Sequence, residues 1–322
     1  MPTIVTFASG KGGVGKSVTV SNLGLALAAA GHDVVIADCD LGGGNLETLF
    51  GAFETGPSLD DFLNRKIRSL GEATRRVRPN LSLISGAGES LATANPNWAM
   101  KQRLLRQLRD LDAEIVLVDV GAGTGNDALD FFCAGDIRVL VTLPEPTASV
   151  DAYRFLKLAH VRESATQISA RNPERRQLER SDPQRAQDVW KTVPLEADKR
   201  PSQAPPCVIL NQAGDARQSF HRLRLVSRRF LECDLELLGQ IPSDDAVRAS
   251  VSRFLPILEG DPASPASRAF SAAADALSSK IQALTPANEG PALPDLNALT
   301  SDLAVDRNRD QRKTRQAPSQ SA

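Results

Sequence analysis

The chain offers little with which to build a metal centre or a disulfide framework. Its 322 residues include four cysteines, Cys39, Cys133, Cys207 and Cys233, with no Cys-x-x-Cys pair. Each sits in or beside an apolar run, so they read as reduced core residues of a cytoplasmic protein. The three histidines, His32, His160 and His221, are far apart in sequence, which argues against a histidine metal site. No apolar run approaches the roughly 18 residues that a membrane span needs. The opening residues hold no basic segment followed by an apolar stretch and a cleavage site, so a protein neither secreted nor integral to a membrane is expected. Lys and Arg number 38 against 39 Asp and Glu, a net charge of −1. Nothing therefore draws the whole molecule to nucleic acid or anionic lipid, and any such binding has to come from a local patch.

What is present is ordinary for a globular protein with a sizeable core: 41 % hydrophobic and 24 % charged residues. Short apolar, β-branched runs recur at residues 3–7, 34–37, 81–84, 114–118, 139–142, 208–210 and 235–238. Segments of helical period, such as 18–30 and 98–111, lie between them. Continuous apolar strands alternating with helices predict a doubly wound α/β fold, a mostly parallel sheet flanked by helices on both faces. Ligands of such sheets collect at the carboxyl ends of the strands. The expected organisation is one domain over 1–285 with an insertion at about 162–206, partly helical, in which Trp190 is the lone large apolar anchor. Its last helix, 265–284, sets Phe270, Ala274, Leu277, Ile281 and Leu284 on one core-facing stripe. Residues 286–322 turn to Pro, Asn, Asp, Ser and Gln with a basic end at Arg307, Arg309, Arg312, Lys313 and Arg315, and read as a disordered tail.

The first strand runs directly into Gly10-Lys11-Gly12-Gly13-Val14-Gly15-Lys16-Ser17, and a helical segment begins near Val18. Strand, glycine loop and helix are in the order of a phosphate cradle. The glycines let backbone N–H groups approach an anion, and the helix N-terminus adds partial positive charge at the same point. Lys16 is placed to reach the β- and γ-phosphates, and the Ser17 hydroxyl to ligate Mg2+. Further strands end in Asp38-Cys39-Asp40 and in Asp119, the latter followed by Val120-Gly121-Ala122-Gly123. Paired aspartates facing a triphosphate would be repelled unless a magnesium ion lay between. Asp38 and Asp119 are thus metal-side candidates with Ser17, and Asp40 is the residue expected to orient an attacking water.

Lys-Gly-Gly-Val-Gly-Lys-Ser, with its early Lys11, resembles the deviant Walker A signature of the MinD and ParA family. Asp-x-Asp-Leu-Gly-x-x-Asn at Asp38–Asn45 and Pro144-Glu145-Pro146-Thr147 resemble its FlhG and MinD branch; the Asp-x-Asp-Pro of plasmid-partition proteins is missing. The resemblance implies a P-loop NTPase fold, hydrolysis of ATP with Mg2+, and an ATP-dependent homodimer in which Lys11 reaches the partner's nucleotide. It implies catalytic roles for Lys11, Lys16, Asp40 and Asp119, contact of the 10–18 loop through Val18 with the phosphates, and γ-phosphate sensing by Gly121 or Gly123. Asn211 matches the adenine-contacting asparagine, and Pro242, in Ile241-Pro242-Ser243-Asp244, the loop closing over the base. Glu145 is an interface candidate. Val18 replaces the family's second hydroxyl residue. The cellular output implied is a switch for spatial positioning of a flagellum, a division site or other polar machinery through a protein partner that the sequence does not name. Peripheral association with the inner face of the plasma membrane stays open, and nucleic acid is not expected as a partner. The chain shows neither the N-terminal helix of FlhG proteins nor the basic amphipathic C-terminal helix of MinD. Alternatives on the same fold are a scaffold ATPase for iron–sulfur assembly, a nucleotide-dependent ligase, or a DNA-partitioning ATPase.

Overall fold

The apolar runs become strands whose order in space places the phosphate loop at the middle of one sheet. The structure, a computed structural model, describes residues 1–41, 43–53, 56–86, 96–167, 204–214 and 216–284. The chain divides into two units, 1–160 with 203–290 and 161–202 with 291–322, and every strand among the described residues lies in the first. Most of the expected insertion, including Trp190, and the whole expected tail lie outside the described residues.

The strands are β1 (Thr3–Ala8), β2 (Val34–Cys39), β3 (Thr74–Arg78), β4 (Leu81–Ile84), β5 (Ile115–Val120), β6 (Ile137–Thr142), β7 (Cys207–Leu210) and β8 (Glu236–Gln240). Among the described residues they form one eight-stranded sheet in the order β3-β4-β2-β5-β1-β6-β7-β8. Every pairing is parallel except that of β3 with β4. β3 has no counterpart among the expected strands. Its sequence, Thr-Arg-Arg-Val-Arg, contains no apolar run, because an edge strand is half solvated and its arginines discourage pairing with another chain. Those arginines also tether it: Arg75 donates to the Ala52 carbonyl at 2.8 Å, and Arg78 holds Glu259 through Nε and Nη2 at 2.5 and 2.9 Å.

Helices α1 (Lys16–Ala29) and α9 (Pro265–Leu284) cover one face. α1 lies tight on the sheet, since a Cβ built on Gly24 would fall 2.6 Å from Ile36 Cδ1 and 3.4 Å from Leu117 Cδ1. Along α9, Phe270, Ala274, Leu277 and Ile281 are buried as their spacing predicts, and Leu284 is half-buried at the end. Buried Asn22 fastens α1 to the short helix after α7 (Asp245–Val251): its Oδ1 accepts from Leu258 N of that helix, Ile257–Gly260, at 3.2 Å.

The other face carries α3 (Trp98–Arg109), α4 (Asn126–Cys133) and α5 (Pro146–Gln167), after the single-turn α2 (Leu59–Leu63). Thr6, which points away from α1, donates its hydroxyl to Phe132 O at 2.9 Å, and Phe132 meets Phe155 of α5 edge to face with ring centroids 5.0 Å apart. α4 escaped the sequence reading because it is short and its apolar residues, Ala128, Leu129, Phe131 and Phe132, form no long periodic pattern. α6 (Arg217–Leu231), joining β7 to β8, escaped it because only Leu223, Ser227 and Leu231 are buried. Cys39 and Cys207 are buried as expected, whereas Cys133 and Cys233 are only half-buried; none forms a disulfide.

An ion cluster locks α3 to α4. Lys101 Nζ lies 2.9 Å from Asp127 and 2.5 Å from Asp130, with Lys101 and Asp130 nearly excluded from water. Removing the cation strands two acids, one of them buried, which is the costly way to break such a cluster. Lys101→Ala is expected to lower unfolding stability by about 3 kcal/mol in urea titration; an unaltered midpoint would show that the cluster contributes nothing net.

Candidate active site

Three adjacent central strands, β2, β5 and β1, deliver the acids and the loop to one place. Asp38 and Asp119 are direct register partners on β2 and β5, and Asp119 is in turn the partner of Phe7 on β1. Side chains alternate along a strand, so Asp38 lies on the face of Ile36 and Asp119 on the face of Leu117, two residues earlier. That is the face covered by α1. The pleat thus carries both carboxyls under the first turn of α1, where Lys16 begins the helix. Lys16 Nζ is paired with Asp119 Oδ1, both side chains almost wholly buried.

Two acids side by side under a helix resist ionisation together. Burial first, then the neighbouring Asp119 charge, pushes the Asp38 carboxyl from 3.8 up to about 7. Hydrogen bonds from Leu46 N at 3.2 Å and Asp40 N at 3.1 Å work against this without reversing it. Asp119 is also raised by burial, with Lys16 as the chief opposing influence. Its second oxygen, Oδ2, is buried with no hydrogen-bond partner. An orphaned carboxylate oxygen, a second carboxyl in register and the adjacent Ser17 hydroxyl form an all-oxygen donor set of the kind a hard divalent cation prefers, so the residues present fit Mg2+.

The loop itself is an anion nest. Gly13 and Gly15 have φ of 78° and 81°, values that glycine adopts without strain. Gly15, the residue before α1, caps it with no side chain, and the first turn holds no acidic residue, which leaves the leading N–H groups for an anion. Gly12 and Gly13 are exposed, and a Cβ on either would meet nothing within 4 Å, so the cradle opens to solvent. Val14 is buried beneath it, and Ser17 and Val18 are half-buried.

Loops from other strands close around this nest. Gly123 N donates to Ser9 O at 3.0 Å, which ties the segment after β5 to the base of the phosphate loop. A Cβ on Gly121 would sit 3.5 Å from Asp40 Oδ1, so the segments after β2 and β5 meet there. Gly10 presses on the start of α5, where a Cβ would fall 2.3 Å from Asp151 O. Lys11 lies 3.6 Å from Glu145 of the same chain, both partly exposed. The structure therefore brings together residues 10–18, Asp38, Asp40, Asp119, Gly121 and Glu145.

The two base-contact candidates are differently placed. Asn211 and Pro242 follow the adjacent strands β7 and β8, and Ile241 N donates to Leu210 O at 2.8 Å between them. Asn211 is buried, however, and its Nδ2 donates to Val14 O at 2.8 Å. One of its two amide N–H groups is committed to the phosphate loop, and the second N–H and the side-chain oxygen are the groups left for a base. Ser9 was not foreseen: its hydroxyl is buried without a partner at the strand-to-loop junction, and only its place just ahead of the glycines would have marked it. Gly44 was likewise unforeseen, although a Cβ there would fall 2.4 Å from the Asp38 carboxyl.

The ParA family model, described as NUBPL iron-transfer P-loop NTPase, matches residues 1–168. The chain belongs to the ParA family. As a member it is a P-loop ATPase, and the site just described occupies the matched segment except for Asn211 and Pro242. The family protein "Antiactivator FleN" of Pseudomonas aeruginosa is 28 % identical over 286 residues, 86 % of each chain. "Flagellum site-determining protein YlxH" of Helicobacter pylori is 34 % identical over 161 residues, 48 % of this chain and about half, 52 %, of that protein. The septum site-determining protein MinD of Pyrococcus horikoshii, solved with Mg-ADP, superposes with a TM-score of 0.63 at 23 % identity, covering 86 % of this chain and 96 % of that one.

Lys16→Ala is expected to abolish ATP binding in calorimetry while the circular dichroism spectrum persists; retained affinity would place the nucleotide elsewhere. The carboxyl pair also sets a pH dependence. The folded-state value of Asp38 lies above 3.8, so ionising it penalises the folded protein increasingly as pH rises toward about 7 and by a constant amount beyond. Without nucleotide or Mg2+, stability should fall by about 1.4 kcal/mol per pH unit through much of that window, with Asp119 acting in the same direction. Asp38→Ala should flatten this slope in urea unfolding compared at about pH 5 and about pH 8; an unchanged slope would assign it to other groups.

Proposed function

We propose that the chain is a nucleotide-switched positioning ATPase, in which ATP joins two copies face to face and hydrolysis parts them. The observation that carries this reading is that the segment after β5 is tied to the base of the phosphate loop, Gly123 N on Ser9 O, and itself meets the segment after β2, Gly121 beside Asp40. A γ-phosphate in the nest would bear on both at once, and its loss would release both, which is how an order-to-disorder switch works. Lys16 and the loop amides would meet the charge spreading over the transferred phosphoryl group, and Asp40 would position the attacking water. Mg2+, when bound, supplies charge compensation and polarises the phosphoryl oxygens. Its ligands would come from Ser17 and the acids of β2 and β5.

Lys11 would leave Glu145 and reach the nucleotide of the second copy. Two triphosphates facing one another repel, and lysines crossing between subunits would offset this only while the γ-phosphates are present. The similarity to FleN, YlxH and MinD favours flagellar or septal placement as the output, exerted on a protein partner. The iron-transfer description of the family model supports the assembly reading. Against it stand the absence of any Cys-x-x-Cys in the sequence and the burial of Cys39 and Cys207.

Asp40→Ala should keep ATP binding and dimer formation while slowing turnover about a hundredfold or more, as loss of a water-orienting carboxylate does. Lys11→Ala should bind ATP as a monomer and hydrolyse it poorly. Phosphate release and light scattering measure the two properties, and an ATP-dependent dimer of unaltered mass in the Lys11 variant would refute action across the interface.

A further inference from the structure

Helix α6 carries a charge pattern that its own stability does not require. Its fifteen residues, Arg217–Leu231, include Arg217, Arg222, Arg224, Arg228 and Arg229 and no acid, in a chain whose net charge is −1. Arg228 and Arg229, in the last turn, complement the negative end of the helix. Arg217 opens the helix, where a cation opposes the positive end, and Arg222 lies in its first half, so the dipole explains neither.

Ion pairing accounts for only part of the rest. Asp234 takes Arg224 in a two-pronged pair at 2.7 and 2.9 Å and approaches Arg228 at 4.0 Å. Arg217, Arg222 and Arg229 make no ion pair among the described residues. Arg229 lies over the Phe230 ring at 5.6 Å, which leaves its outer N–H groups available to an anion.

Apolar side chains share this outward surface. Leu225 is 52 % exposed, Phe230 50 % and Val226 37 %, whereas the buried stripe consists of Leu223, Ser227 and Leu231. At 100° per residue, Leu225 points opposite to Ser227 and stands between Arg222 and Arg229 on one side and His221 and Arg228 on the other. Val226 and Phe230 both lie beyond Arg222 on one side, about 100° and about 140° round from Leu225, where Phe230 borders the buried stripe at Leu223. Phosphate contacts alone would need only the arginines. Leu225 set among them, with Val226 beside Arg222, fits a boundary where anionic headgroups overlie hydrocarbon.

We infer that the outward face of α6 is a docking surface for an anionic lipid bilayer, the arginines meeting headgroup phosphates while Leu225 and Val226 enter the interfacial layer. Arg222, Leu225, Val226 and Arg229 are none of the residues of the nucleotide site, so the test does not depend on the reading of the ATPase cycle.

The test is flotation of the full chain with vesicles of phosphatidylglycerol and phosphatidylcholine, against phosphatidylcholine alone. Binding is expected only to the anionic vesicles. Arg222→Gln with Arg229→Gln should lower partitioning about thirtyfold, and Leu225→Asn should lower it several-fold, both with ATP turnover unchanged. Replacing Arg307, Arg309, Arg312, Lys313 and Arg315 by Gln should leave most of the binding in place. Absence of binding to anionic vesicles, insensitivity to the α6 substitutions, or loss of binding in the C-terminal variant alone would overturn the inference. So would binding of duplex DNA that falls with the paired arginine substitutions while Leu225→Asn has no effect on vesicles, since the face would then be a nucleic-acid site.

Discussion

The site depends on the confrontation of two carboxyls, Asp38 and Asp119, held in register on neighbouring strands under the first turn of α1. Neither has room to turn away: Gly44 and Gly86 pack against Asp38, and Asp119 is enclosed. Lys16 compensates one of them, and the other, pushed up to about 7, is only partly ionised at neutral pH. The arrangement is costly for the folded chain alone and becomes favourable when a cation and a polyphosphate share it. Strain of this kind, carried by a folded protein until its ligand relieves it, is a common property of functional sites.

Much of this was legible in the residues. Parallel strands buried on both faces have to be continuously apolar, so seven of the eight strands stood out as runs, and the carboxyl end of each identified the residues of interest. The glycine loop was legible because a phosphate cradle demands a strand, positive-φ glycines and a helix start in fixed order. β3 was hidden because an edge strand needs no apolar face, and α4 because eight residues are too few to establish a period. α6 was hidden because a helix that buries one narrow stripe and presents arginines outward gives a weak core signal.

The roles within the site were less legible than its membership. Spacing identified Asp38, Asp40 and Asp119, but only the register shows that Asp38 and Asp119 confront one another while Asp40 stands apart with Gly121. Asn211 illustrates the same limit. An asparagine at a strand end reads as a group aimed at a ligand, and no linear pattern announces that its amide is turned inward onto a carbonyl 197 residues away.

That inward turn has a consequence for the order in which the protein matures. Gly15 lacks a Cβ where the Asn211 amide comes to rest, and Val14 offers the carbonyl that receives it. The clasp around the phosphates is therefore finished by a latch encoded far downstream. A nascent chain that has emerged only as far as α5 holds every glycine and lysine of the loop and both acids, yet its cradle still lacks the brace supplied by β7. The loop gains its last brace only when these two distant stretches of polypeptide have met.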